Sequence, residues 1–229
     1  MTAIGKDNLQ FLKQLATHND RDWFQENKNE YLKQHQNTID FADTLLDTMR
    51  QHDQIETESG KKSLYRIYRD VRFSKNKAPY KVNWSGGFKR ASKLLRGGYY
   101  FHIQPGNSFA AGGFWGPNTA DLKRIREEIS FSDKELRKII NSEDFTNHFG
   151  QLLGDQVKTA PKGFSKEHPA IDLLRYKQFL VSKRFSDKEV LQEDFYLKVD
   201  EAFRAMRPFF DYMSEVLTTD ANGELLKDL

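Results

Sequence analysis

The sequence predicts an α+β protein: a central, mainly antiparallel sheet (about residues 55–115 plus 176–185) covered by N-terminal and C-terminal helices. Three observations predict it. Apolar residues recur at three- and four-residue spacing near both ends, the mark of amphipathic helices. Between those ends they alternate with a period of two, as strands do. Eight of the fourteen glycines lie between Gly86 and Gly116, which suits bulged or sharply twisted strands. The expected organisation is a single domain over residues 1–229, with a helical segment 6–53, the sheet 55–115, helices 119–148, a strand 176–185 and a long helix 194–217.

Asn8 to Ala16 reads as a short helix with Leu9, Leu12, Leu15 and Ala16 on one side. THNDRD breaks it, and Asn19 or Asp20 is a suitable N-cap for the next, with Asp22 in its first turn. That helix is expected to run to about Gln51 through Trp23, Phe24, Tyr31, Ile39, Ala42, Leu45, Leu46 and Met49. Its polar middle, KQHQNT, predicts exposure or a bend.

The period changes after HDQIETESGKK. Leu64 to Phe73 alternates as a strand, with Tyr65, Ile67, Arg69, Val71 and Phe73 on the core side. Leu64, Arg66, Tyr68, Asp70 and Arg72 form the other side, and SKNKAPYK follows as a loop. Val82 to Lys89 reads as a strand interrupted by Gly86 and Gly87. GGYYFHIQPGNSFAAGGF reads as a hairpin turning at PGNS. Further on, Asn118 or Thr119 caps a helix buried through Leu122, Ile125 and Ile129. Ser132 with Glu135, and Ser186 with Glu189, have capping-box spacing. YKQFLVSKRF is a strand with Phe179, Val181 and Phe185 inward. The last helix carries Tyr196, Val199, Phe203, Met206, Phe210, Met213 and Leu217 toward the sheet. Pro208 should kink it, and Phe195, Phe209 and Val216 make its apolar face too wide for a coiled-coil seam.

The chain contains no cysteine, which excludes disulfides, a thiol nucleophile, iron–sulfur clusters and cysteine-based zinc sites. The six histidines form no HxH, HxxxH or HExxH pair, so no metal site is predicted. No cofactor is named by the sequence either: neither GxGxxG nor a Walker loop occurs. No run approaches the length of a membrane helix and no signal-peptide pattern is visible, so the expectation is a cytoplasmic protein with no membrane partner.

Net charge is +3, but it is unevenly spread. Lys61 to Arg96 holds twelve Lys or Arg against one acid, Asp70, while the remainder carries −8. Such asymmetry points to an anionic partner, or to internal neutralisation by acidic flanks. Its densest part is YRIYRDVRFSKNKAPYK, Tyr65 to Lys81.

That block, with NDRDWFQENKNEYL, the GGYYFHIQP hairpin and KGFSKEHPAIDLLRYKQF in the same order, resembles a bacterial family of conserved hypothetical proteins, domain of unknown function 2461. The resemblance covers nearly the full chain. It implies one full-length domain and marks the basic block as the family signature, and it brings no activity or catalytic residue.

The candidate ligand-binding residues are Arg66, Tyr68, Arg72, Lys75, Lys77, Lys81 and Arg184: guanidinium forks, a hydroxyl and point charges suited to phosphate or carboxylate. Arg66, Tyr68, Asp70 and Arg72 are expected to share a sheet face with some of Tyr100, His102, Gln104, Ser182 and Arg184. Asp70 is either a clamp for its neighbouring arginines or a base or metal ligand, the clamp being preferred. His102 is a candidate general acid or base against the plainer role of a satisfied strand histidine. Arg69 should meet a buried acid (Asp20, Asp22, Glu26 or Glu30) or backbone carbonyls. Tyr65, Tyr68, Tyr80, Trp84 and Phe88 suit base stacking or ordinary strand packing, and the second is preferred.

Three functions follow. A pocket for a small phosphate- or carboxylate-bearing ligand, with or without catalysis, requires the arginines to converge in a cleft; this is the leading expectation. A nucleic-acid binder requires an open basic stripe. A non-catalytic scaffold requires the basic block to be neutralised by the protein's own acidic helices.

Overall fold

The computed structural model describes residues 3–220 and 222–226. The fold is α+β, with a four-stranded antiparallel sheet. The chain clusters into two compact units. One takes the described residues up to Lys89 with Tyr100–Ala110 and Arg184–Glu201; the other takes Arg90–Tyr99, Ala111–Lys183 and the described residues from Ala202 on.

The first unit begins with α1 (Lys6–Thr17), α2 (Arg21–Glu26) and α3 (Lys28–Met49). Asp20 caps α2, its carboxylate accepting from the Trp23 N–H at 2.9 Å. The long early helix expected from Asp20 onward is therefore two helices, broken at Asn27 and not at KQHQNT. In that polar middle Lys33 and Gln36 are exposed, as expected, but Gln34 and Thr38 are not. Asn8 of α1 donates to the Gln34 carbonyl at 3.1 Å and to Thr38 Oγ1 at 3.2 Å, and Gln34, Thr38 and Asn8 are all buried. The Asn8 donors are thus used, while its Oδ1 is buried without a hydrogen-bond partner among the described residues, an orphan of the kind that costs about 1–3 kcal/mol. A short α4 (Gly60–Ser63), capped by Ser59, lies within the span 55–115 expected to be sheet.

The sheet order is β1 (Trp84–Lys89), β2 (Gly98–Ile103), β3 (Ser108–Phe114) and β4 (Phe179–Phe185). β2 and β3 alternate buried and half-exposed residues along their length, the period-two signature of a sheet with one core face. Their hairpin turns at PGNS. Gly106 takes φ 71° there, a conformation that suits glycine, and Asn107 N–H donates to the Gln104 carbonyl at 2.9 Å. β1 is not interrupted by its glycines.

The second unit holds α5 (Thr119–Phe131), α6 (Lys134–Ile140), α7 (Glu143–Phe149) and α8 (Ile171–Leu174). Asn118 caps α5, as expected. The Ser132–Glu135 box does not form, because Ser132 still ends α5 and Asp133 occupies the N-cap of α6. The Ser186–Glu189 box does form, at α9 (Asp187–Val190). α10 (Phe195–Thr218) includes Pro208 without ending there. Within this unit its Phe203 and Phe210 rings lie 4.9 and 5.1 Å from Tyr99. Gly112 permits that approach: a Cβ there would meet Met206 Sδ at 2.6 Å and Phe210 at 2.8 Å.

The expected strand Leu64–Phe73 is a correction. Only isolated antiparallel bridges form, Leu64 with Gly86 and Tyr68 with Tyr80. The chain folds back on its own return limb: Arg69 N–H donates to the Pro79 carbonyl at 2.9 Å, and Lys81 N–H donates to the Ile67 carbonyl at 2.7 Å. Residues 65–81 thus make an irregular two-limbed arm.

Candidate functional site

The arm belongs entirely to the first unit. Its base is anchored by Asn19, whose side chain does the work of a neighbouring strand. Asn19 Oδ1 accepts from Tyr80 N–H and Asn19 Nδ2 donates to the Tyr80 carbonyl, both at 3.0 Å. The Tyr80 ring stacks on Phe24 with centroids 4.0 Å apart. At the tip, Asn76 Oδ1 accepts from Ala78 N–H at 2.9 Å, closing the turn.

Inside the arm, several side chains brace the backbone. Arg69 Nη1 donates to the Ala78 carbonyl at 3.0 Å, the backbone option among its expected partners. Lys77 Nζ donates to the Val71 carbonyl at 3.0 Å. Asp70 takes Arg72 in a fork, with Nε to Oδ1 at 3.0 Å and Nη2 to Oδ2 at 2.7 Å. The Arg72 hydrogen bonds hold the Asp70 carboxyl below its usual range, and it stays ionised. This is the clamp geometry; among the described residues no cluster suited to a metal ion occurs. Arg66 and Lys75 make no ion pair or side-chain hydrogen bond among the described residues. Lys81 lies 5.6 Å from the Tyr65 ring centroid, and its pKa is lowered by burial and then by the Arg66 charge. None of Asp20, Asp22, Glu26 or Glu30 forms an ion pair with the arm.

The parity assignment for 65–73 fails in an instructive way. Ile67 alone is buried. Tyr65 is 54% exposed, Tyr68 62% and Phe73 96%, so rings expected to be core-facing or strand-packed stand in solvent. Alternation predicts faces only when a strand has a sheet on which to impose them. The tip sequence SKNKAP, poor in strand formers and ending in proline, was the available signal that no ladder extends there.

His102 and Arg184 are placed elsewhere in the same unit. His102 Nε2 donates to Gln104 Oε1 at 2.9 Å, which leaves Nδ1 to accept from the Tyr100 hydroxyl at 2.9 Å. Burial lowers its pKa, partly offset by the Gln104 bond, and its ring stacks on Phe109 at 4.7 Å. Both nitrogens are used, as in a satisfied strand histidine. Tyr65 is the arm's link to that face, its ring 6.2 Å from Tyr100. Arg184 Nη1 donates to Asn107 Oδ1 at 3.3 Å, outside the arm. Of the candidate ligand residues, Arg66, Tyr68, Arg72, Lys75, Lys77 and Lys81 are therefore collected on the arm, and Arg184 is not.

Two features had no sequence signal. His52 Nε2 and Asp200 Oδ1 are 2.7 Å apart, with both side chains largely buried. In the second unit, a cavity of about 470 Å³ is lined by Ser130, Ser132, Asp133, Lys134 and His168 among others. There His168 Nδ1 accepts from Ala170 N–H, so Nε2 carries the proton and donates to Ser130 Oγ at 3.1 Å. His168 in this form is no base for Ser130.

A family model described as conserved hypothetical protein (DUF2461) matches residues 7–212. The chain belongs to that family. No curated protein and no solved structure matches it. In this DUF2461 chain the whole arm lies within the matched residues, as do His102, Arg184 and the Ser130–His168 cavity. Among the described residues no helix is long and apolar enough to cross a membrane.

Proposed function

We propose that this DUF2461 chain binds a nucleic acid through the basic arm, residues 65–81. One observation carries the reading: the arm's cations are set around an open projection with a single carboxylate among them, and that carboxylate serves Arg72 alone. A pocket for a small anion needs its arginines to converge. Here Arg69 and Lys77 brace carbonyls and Arg72 is forked on Asp70, which leaves Arg66, Lys75 and Lys81 spread along the projection. Such a spacing fits successive phosphates of a polymer better than one phosphate. Internal neutralisation is disfavoured by the absence of ion pairs from the early helices to the arm.

The test is fluorescence anisotropy with labelled oligonucleotides across a salt series. With about five phosphates engaged, the log–log slope of affinity against salt should be about −4.5 on duplex DNA or about −3.5 on a single strand. The combined variant Arg66→Ala, Lys75→Ala, Lys77→Ala should bind at least tenfold more weakly. If phosphate or sulfate alone raises the melting temperature at low concentration while oligonucleotides do no better, a small-anion pocket replaces this reading.

A further inference from the structure

We infer that the nucleic acid is single-stranded, with bases stacked on the open faces of Tyr65, Tyr68 and Phe73; this deepens, and rests on, the nucleic-acid reading of the arm. Exposed rings alone would say little, because scattered surface aromatics are common. Here two of the three have neighbours on one side, and the third stands beside a cation. Tyr65 has the Lys81 ammonium 5.6 Å from its centroid. Tyr68 lies against Tyr80 and Phe24, with centroids at 5.5 and 6.5 Å. Phe73 has the Arg72 guanidinium carbon 5.9 Å from its centroid, and Arg72 is itself fixed by the fork from Asp70.

Tyr65 and Tyr68 are thus flanked by neighbours while more than half of each residue surface remains in water, and Phe73 stands 96% exposed beside the Arg72 cation. A ring held in place loses little freedom when a planar base covers it, which is what makes a stacking platform effective. A cation beside the ring adds a partner for the phosphate that follows the stacked base. Duplex nucleic acid cannot use this arrangement, since its bases already stack on one another and offer only edges and backbone. A flat apolar partner protein would use the rings but not the surrounding Arg66, Lys75 and Lys77. The single strand uses both, and by the same chemistry whether it is RNA or DNA.

The experiment compares single-stranded RNA, single-stranded DNA and the matched duplex of equal length, against wild type, Phe73→Ala, Phe73→Tyr and Tyr68→Ala. Wild type should prefer either single strand to duplex by at least tenfold. Phe73→Ala should weaken single-strand binding by about five- to a hundredfold, leave duplex binding unchanged, and be rescued by Phe73→Tyr. Phe73 is almost fully exposed, so its variants test the idea even if Tyr68→Ala disturbs the fold. Equal affinity for duplex, or ring variants that bind as wild type, would overturn the single-strand inference while salt-dependent binding upheld the nucleic-acid reading. Failure of every oligonucleotide to bind would remove that reading itself. The RNA and DNA arms identify which single strand is preferred.

Discussion

Two parts of the basic stretch Lys61–Arg96, the arm 65–81 and residues 90–96, share residue types and differ in what their charges meet. In the second unit, Arg90 is 1% exposed, with Nη2 on Asp211 at 2.6 Å and Nη1 on the Arg96 carbonyl at 3.2 Å. Its guanidinium carbon is 5.9 Å from the Phe210 ring centroid. Arg96 meets Asp121 at 2.5 Å and Ser214 through its backbone. Along the arm, by contrast, Arg72 alone pairs with a carboxylate, and the others meet carbonyls, rings or water. Positive charge taken out of water needs an acid, and the chain supplies one. Positive charge left in water needs none, and along the arm Asp70 is the single acid, taken by Arg72. The same residue types therefore serve structure in one place and, we propose, an external anion in the other.

The comparison can be broken at its structural end first. Arg90→Ala empties a fully buried site, while Asp211 is 50% exposed and still has Arg207 at 3.8 Å, so unfolding in urea should show a loss of about 2–5 kcal/mol, the cost typical of truncating a large buried side chain. A loss under about 1 kcal/mol would mean that Arg90 is dispensable and the contrast false. Next comes the arm's anchor. Asn19→Ala removes both partners of the Tyr80 backbone, an expected cost of about 1–3 kcal/mol, with faster amide exchange at Tyr80 as the local sign.

A third prediction concerns pH. His35 and His102 both have lowered pKa values, with burial the first cause and the Lys61 charge a second for His35. A lowered folded value means the folded state prefers the neutral ring. The associated stability is full above the ordinary histidine value of about 6.5 and is lost as pH falls through the folded value. Urea midpoints should therefore fall on the acid side of that range, and His102→Gln should flatten the decline. An unchanged decline would assign it to other groups. The smallest structural effect is expected for Arg66→Ala, Lys75→Ala, Lys77→Ala together: stability should stay within about 0.5 kcal/mol per position, because two of the three have no partner to lose.

Much of the fold was legible because burial imposed periods that the sequence displays. The stripe of α10, the inward residues Phe179, Val181 and Phe185, the Asn118 cap and the PGNS turn all follow from local chemistry plus one apolar face. The break at Asn27 was not visible, nor was the burial of Gln34 and Thr38, because a polar face reads as solvated until its partner, here Asn8, is known. The arm was misread for a related reason. Tyr65, Ile67, Val71 and Phe73 alternate as a strand would, but from Ile67 onward the chain pairs with its own return limb, so the alternation selects no core side. The candidate residues were nevertheless gathered on one projection, since six of the seven lie within seventeen consecutive positions. Which cations were free was hidden: Arg69, Arg72 and Lys77 differ from Arg66 and Lys75 only in the partners the fold provides.

The most direct test of the contrast is the salt dependence of single-strand binding by wild type and by the triple arm variant. The account predicts a wild-type slope near −3.5, made shallower by at least about 1.4, the share of the two unpartnered cations Arg66 and Lys75, with the fold unchanged by circular dichroism. Equal slopes and affinities for the two proteins would contradict it, and the arm's charge would then have no external partner of this kind.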